Sequence, residues 1–126
     1  MYLSKQHFID VLDSAGFDQS NLKEFDYAER LSPGAYLFSS GSHLAVIYQS
    51  TVVFYGEIIN VDGKQKKVIK LNSGGWFTVT TKKWQNYALD LFNTGWHIYQ
   101  KNFSWYITDG DKFNREYTEN VLTLTV

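Results

Sequence analysis

The chain has 126 residues, 44% hydrophobic and 20% charged, with a formal net charge of -1. That balance suits a single globular domain and excludes a disordered or strongly charged tail protein. The absence of cysteine excludes a disulfide framework, a thiolate metal site and a thiol nucleophile, and the single proline excludes a Pro-rich linker.

Aromatic residues stand out at 17%, with 4 Trp, 9 Tyr and 9 Phe, so large flat rings build the core, a binding surface or both. No apolar run reaches the roughly 18 residues of a membrane-spanning helix. The first residues, MYLSKQHFID, lack a basic stretch followed by an apolar one. A soluble, cytoplasmic chain is the expectation. Charge is unevenly spread: residues 64–101 hold seven Lys against Asp90 alone, whereas both ends of the chain are acidic. Such a basic middle suits either an anionic ligand or charge matching with the chain's own acidic parts.

Ser4 to Ala15 has the spacing of a short amphipathic helix, with Phe8, Val11, Leu12 and Ala15 on one side. A second helix is predicted over residues 19–31, with Leu22, Phe25, Ala28 and Leu31 as its stripe and Ser32-Pro33-Gly34 as its stop. From Ala35 the apolar period becomes two. AYLF is read as a strand and Ser39–Ser42 as a turn. HLAVIYQ and TVVFYGEIINV form a hairpin about Gln49 and Ser50. The apolar run Thr51 to Phe54 marks a central strand. Asp62-Gly63 is a hairpin turn, and Lys64 to Asn72 is read as an edge strand guarded by lysines.

Residues 81–92 give the clearest helix, with Trp84, Tyr87, Ala88, Leu91 and Phe92 on one face and Asn93–Gly95 as the stop. WHIYQK and FSWYIT are aromatic strands joined at Asn102. Asp109-Gly110 is a further turn, the polar stretch up to Asn120 is loop or a turn of helix, and VLTLTV is a last strand. The predicted class is α+β: a mainly antiparallel sheet of about five or six strands on one amphipathic helix, with two N-terminal helices, in a single domain.

Catalytic signatures are missing. His7, His43 and His97 have no metal-ligand spacing, and no nucleophile elbow, P-loop or dinucleotide fingerprint occurs. The carboxylate pairs Asp10/Asp13 and Asp109/Asp111 read as solvated surface. A non-enzyme without cofactor or metal is expected.

The informative stretch is NSGGWFTVTTKKWQN, residues 72–86. Gly74 and Gly75 let the backbone turn closely. Thr80 or Thr81 can cap the helix that follows. Lys82 and Lys83 then fall in the first helical turn, where the helix dipole favours acids. These lysines, the free N–H groups and the hydroxyls of Thr78, Thr80 and Thr81 together suit an anion, although two solvated lysines would account for the same residues. Trp76, Tyr99 and Trp105 supply rings on which a base could stack, with Lys101 nearby; the same rings also suit a core. Trp105 and Tyr106 point to opposite faces of their strand.

The run GGWFTVTTKKWQN followed by IYQKNFSWYI resembles a signature of small phage-encoded proteins, in which a strand ending in Gly-Trp-x-Thr-x-Thr-Thr-Lys leads into a helix and then a hairpin carrying Tyr-Gln-Lys and Trp-Tyr. The resemblance covers roughly residues 43–107. One group it resembles is the phage Thoeris anti-defence proteins, which sequester cyclic ADP-ribose-type immune signals in the bacterial host cytoplasm. The resemblance implies ligand binding through the Trp76 ring and the Asn86 amide, with Lys82, Lys83 and Lys101 on the phosphates. The expected partner is therefore an anionic nucleotide-like molecule, held by a symmetric oligomer of the chain. Two other classes fit the residues: an inhibitor of a host defence protein of the anti-CRISPR type, and a binder of single-stranded nucleic acid.

Overall fold

The computed structural model describes residues 27–126. The strands β1 (Tyr27–Ser32), β2 (Ala35–Ser39), β3 (His43–Tyr48), β4 (Thr51–Val61), β5 (Lys64–Asn72) and β9 (Val121–Thr125) form one antiparallel sheet in the order β1-β2-β3-β4-β5-β9. Helix α1 (Val79–Leu91) follows β5, and β6 (His97–Lys101), β7 (Ser104–Thr108) and β8 (Asn114–Glu116) form a second, three-stranded sheet.

Local chemistry sets the hairpins. Gln49-Ser50 and Asp62-Gly63 both have positive φ at each residue, as a tight two-residue turn of the hairpin hand requires. In the Pro33-Gly34 turn, Gly34 takes φ +80°. The predicted C-terminal stop also holds: Asn93 is left-handed at φ +55°, and the Thr94 N–H returns to the Leu89 carbonyl at 3.1 Å.

A single core joins the layers. Phe54, Ile69, Leu71 and Leu122 from the large sheet meet Trp84, Ala88 and Leu89 from α1 with its C-cap Phe92, and Ile98, Trp105 and Ile107 from the small sheet. β4 is interior, as its apolar run implies, with Val53 and Phe54 fully buried.

Several expectations need correction. The first predicted helix, residues 4–15, and most of the second lie outside the described residues. The end of the second is strand: Tyr27 to Arg30 pair with Ser39 to Tyr36 of β2, and Ala28 is buried by that pairing. Cross-strand pairing outweighs the helix propensity of Ala-Glu-Arg-Leu. β5 is not an edge strand, because β9 returns to pair with Val68 to Asn72. Lys64 and Lys66 lie beyond that pairing and stay exposed. The aromatic strands belong to a separate sheet, and the polar stretch after Gly110 contains β8.

The helix starts two residues earlier than predicted and is capped by Thr78, whose hydroxyl accepts the Thr81 N–H at 3.2 Å; neither Thr80 nor Thr81 is the cap. Its buried face is also rotated. Thr81, Trp84, Gln85, Ala88 and Leu89 point inward, while Tyr87 and Leu91 are exposed. Hydrogen bonds engage the Thr81 hydroxyl and the Gln85 Nε2 inside, which an apolar stripe does not reveal, while Gln85 Oε1 is buried with no hydrogen-bond partner among the described residues.

Candidate functional site

The stretch between β5 and α1 is built by side chains bonding to their own backbone. Asn72 Oδ1 accepts the Gly74 N–H at 2.8 Å, Ser73 Oγ accepts the Gly75 N–H at 3.1 Å, and the Trp76 N–H donates to the Ser73 carbonyl at 3.0 Å. Gly74 has φ +64°, and a Cβ there would stand 3.3 Å from the Thr51 side chain. The Gly-Gly pair thus lets the chain fold tightly against the β3–β4 hairpin and leaves Trp76 72% exposed.

Beside that ring is a cleft of about 270 Å³, lined by Tyr48, Gln49, Thr51, Val53, Ser73, Trp76, Thr78 and Thr81. It combines a projecting indole, a floor at Val53 and a set of hydroxyls. Thr78 Oγ1 donates to Thr81 Oγ1 at 3.0 Å, which fixes both at the helix start. The lining carries no formal charge.

The predicted residues divide around this cleft. Trp76, Thr78 and Thr81 line it together. Thr80 is half-buried and outside the lining. Lys82 and Lys83 also lie outside it, over different rings: the Lys82 Nζ is 6.0 Å from the Trp105 centroid and the Lys83 Nζ is 4.8 Å from that of Trp84. Asn86 is committed to the backbone of β6, with its Oδ1 accepting the Ile98 N–H at 2.7 Å and its Nδ2 donating to the Ile98 carbonyl at 2.8 Å.

Tyr99 stacks on Tyr106 at 5.4 Å and donates its hydroxyl to Asn114 Oδ1 at 2.9 Å. Lys101 is exposed at the end of β6. Trp105 is buried in the core, with Phe77 edge-on at 5.1 Å, while Tyr106 lies on the opposite side of β7.

Tyr48, Gln49, Thr51, Val53 and Ser73 were not legible as site residues, because a hairpin some 25 residues upstream reaches the cleft only through the sheet. The Asn-Ser pair before Gly-Gly was the one local signal for Ser73.

Beneath the cleft, Gln85 is fully buried. Its Nε2 donates to the Val53 carbonyl and to the Tyr117 hydroxyl, both at 3.1 Å. Burial pushes the Tyr117 phenol up to about 12, against a smaller opposing effect of the Gln85 hydrogen bond.

At the far end of β3, Ser42 Oγ lies 2.8 Å from His43 Nδ1, and His43 Nε2 lies 3.5 Å from Glu57 Oε2. The residue types are those of a hydrolytic relay. However, the Ser40 hydroxyl accepts the N–H groups of both Ser42 and His43, so neither donor is left for an oxyanion. His43 and Glu57 are directly opposed across β3 and β4, and the contact reads as a cross-strand pair.

Among the described residues, no group of three His, Asp or Glu is arranged to hold a metal. None of the described helices is long and apolar enough to cross a membrane.

No curated protein and no solved structure matches the chain. The family model described as Kyanoviridae Gp96 protein matches residues 39–123, from the end of β2 into β9, and so spans the entire cleft and α1. The chain is a phage protein and belongs to the Kyanoviridae Gp96 family.

Proposed function

We propose that this phage protein is a non-catalytic binding protein that sequesters a nucleotide-like molecule, with the cleft beside Trp76 as its site. The observation that carries this reading is the cleft itself: an exposed indole beside a hydroxyl-rich lining at the start of a helix. A flat heterocycle would stack on Trp76, and its polar edge would bond to Thr51, Ser73, Thr78 or Thr81. Because the lining is neutral, the ring portion belongs in the cleft and phosphate belongs outside it, toward Lys82 on the first turn of α1. The immune-signal role in the host cytoplasm rests on the resemblance to phage anti-defence proteins.

The test is a thermal-shift panel of ADP-ribose isomers, cyclic oligonucleotides and short single-stranded DNA. A ligand at 100 times its dissociation constant stabilises the fold by about 2.7 kcal/mol. Trp76→Ala should abolish that shift while leaving the unliganded melting temperature nearly unchanged, since the ring is mostly exposed. Lys82→Gln should weaken phosphorylated ligands and spare the corresponding nucleosides. A response confined to single-stranded DNA, falling steeply with salt, would favour the nucleic-acid reading.

Inhibition of a defence protein by direct contact is the second reading. It is favoured by Val79, 71% exposed, three residues from Trp76. A panel without any shift, together with inhibition of a purified defence nuclease that Trp76→Ala or Val79→Asp abolishes, would move the assignment there.

A further inference from the structure

The backbone from Trp76 to Thr78 forms a ridge between the cleft and a second hollow. Thr78 is extended, at φ -102° and ψ 159°, and successive side chains of an extended stretch point to opposite sides. Trp76 and Thr78 accordingly line the cleft, while Phe77 between them lines the hollow, which has a volume of about 280 Å³. Gln85 forms the partition beneath. Its Nε2 is 3.1 Å from the carbonyl of Val53, which lines the cleft, and 3.1 Å from the hydroxyl of Tyr117, which lines the hollow. The two cavities therefore stand back to back, one amide apart.

The hollow suits a flat ring. Phe77 meets Trp105 and Tyr117 edge-on at 5.1 and 5.6 Å, which gives it an aromatic wall. Phe103 lines it as well, although that residue is 96% exposed. Asn102 and Phe103 turn the β6–β7 hairpin at φ +52° and +66°, and a turn of this hand favours Gly at the second place. A phenylalanine in left-handed backbone with its ring in water is strained, with little packing to offset the strain, and points to a ligand that covers the ring. Gln100, directly opposite Trp105, supplies an amide on the same side of the small sheet. Glu116 borders the hollow too, but it is opposed to Tyr106 and so projects from the other face.

Each cavity thus has its own outlying ring, Trp76 for the cleft and Phe103 for the hollow. A single cation stands near both: Lys82 directly follows Thr81 of the cleft lining, and its Nζ is 6.0 Å from the centroid of Trp105 in the hollow. We propose that cleft and hollow take one ligand, a free dinucleotide, with a base on each side of the Trp76–Thr78 ridge and the linking phosphate at Lys82. One linked molecule outbinds two separate nucleotides, because its second base meets its cavity at high effective concentration. The proposal rests on the reading of the cleft as a nucleotide site and adds the second base to it.

The test is isothermal titration calorimetry of the full chain against the ribodinucleoside monophosphates and the nucleoside 3′- and 5′-monophosphates that compose them. The best dinucleotide is expected to bind about tenfold or more tighter than its component mononucleotides. Phe103→Ser should remove that gain and leave the mononucleotide affinity unchanged, and Phe103→Gly, which suits the turn, should do the same. Trp76→Ala should abolish binding of both. Mononucleotide binding that depends on Trp76, with no gain for any dinucleotide, overturns this inference and leaves the cleft reading standing. A gain that survives both Phe103 variants does so too. A panel in which nothing binds overturns both readings. Binding that tightens further from a dinucleotide to a longer oligonucleotide overturns the free dinucleotide as the occupant and assigns the two cavities to a single strand.

Discussion

The Asn86 side chain holds both backbone groups of Ile98, accepting its N–H at 2.7 Å and donating to its carbonyl at 2.8 Å. An amide presents one donor and one acceptor side by side, as a neighbouring strand would. Asn86 therefore stands in for a missing strand at the edge of β6 and fastens the small sheet to α1. Asn86→Ala should leave two partly buried backbone groups unpaired and lower stability by about 2 kcal/mol or more, read as a shift in the urea midpoint. Asn86→Asp should be nearly as costly, since a carboxylate repels the Ile98 carbonyl.

Lys67 closes the far end of the same helix. Its Nζ donates to the Phe92 carbonyl at 2.8 Å and to the Asn93 carbonyl at 3.0 Å, and lies 5.5 Å from the Phe92 ring centroid. The last turn of α1 has no basic residue of its own, so the strand supplies the cation that the helix dipole favours. Lys67→Met should cost about 1 kcal/mol, given the partial exposure of the contact. Guanidinium-free thermal melts at low and high salt should show the difference narrowing as salt rises.

Gly56 is required by packing. A Cβ at this position would lie 2.8 Å from Phe92 Cε2 and 3.0 Å from Phe54 Cε1, where the two rings meet at 73°. Gly56→Ala should destabilise by about 1–3 kcal/mol through overpacking. Gly56→Ala combined with Phe92→Leu should cost less than the sum of the two single changes, a coupling that a double-mutant cycle in urea would measure.

The alkaline limb of stability should depend on Tyr117. Its phenol titrates at about 12 in the folded chain against 10.0 for an ordinary tyrosine, so the native state holds the proton more tightly. The proton-linked stability is fully present below pH 10 and is lost as pH rises from about 10 toward 12, by an amount on the order of 2 kcal/mol. Tyr117→Phe should flatten that part of the pH–stability curve. It should also lower stability near neutral pH, because Gln85 Nε2 loses one of its two acceptors.

Short-range patterns were readable where the determining interaction was itself local. Period-two stretches marked β2, β3, β4 and β9, and Asp62-Gly63 marked its hairpin because glycine accepts the positive φ. Part of the cleft was legible too, since Gly74-Gly75 and the threonines after Trp76 lie within a few residues of one another. The strand at Tyr27–Ser32 was hidden because its stabilising partner is β2, while its own residues suit a helix. The roles of Gln85 and Asn86 were hidden for a related reason: their partners are Val53, Tyr117 and Ile98, each remote in sequence or on another element.

The sequence by itself determined that this is an α+β chain with a ring-built core, a helix after Trp76 and no recognisable catalytic signature, because composition, periodicity and turn chemistry act over a few residues. Only the tertiary structure decided that the aromatic strands form a sheet of their own, that the Trp76 cleft is neutral, and that Lys82 and Lys83 sit over different rings. Those outcomes depend on which distant surfaces exclude water together, and the helix settled the matter by turning Thr81 and Gln85 inward, where hydrogen bonds hold the Thr81 hydroxyl and the Gln85 Nε2.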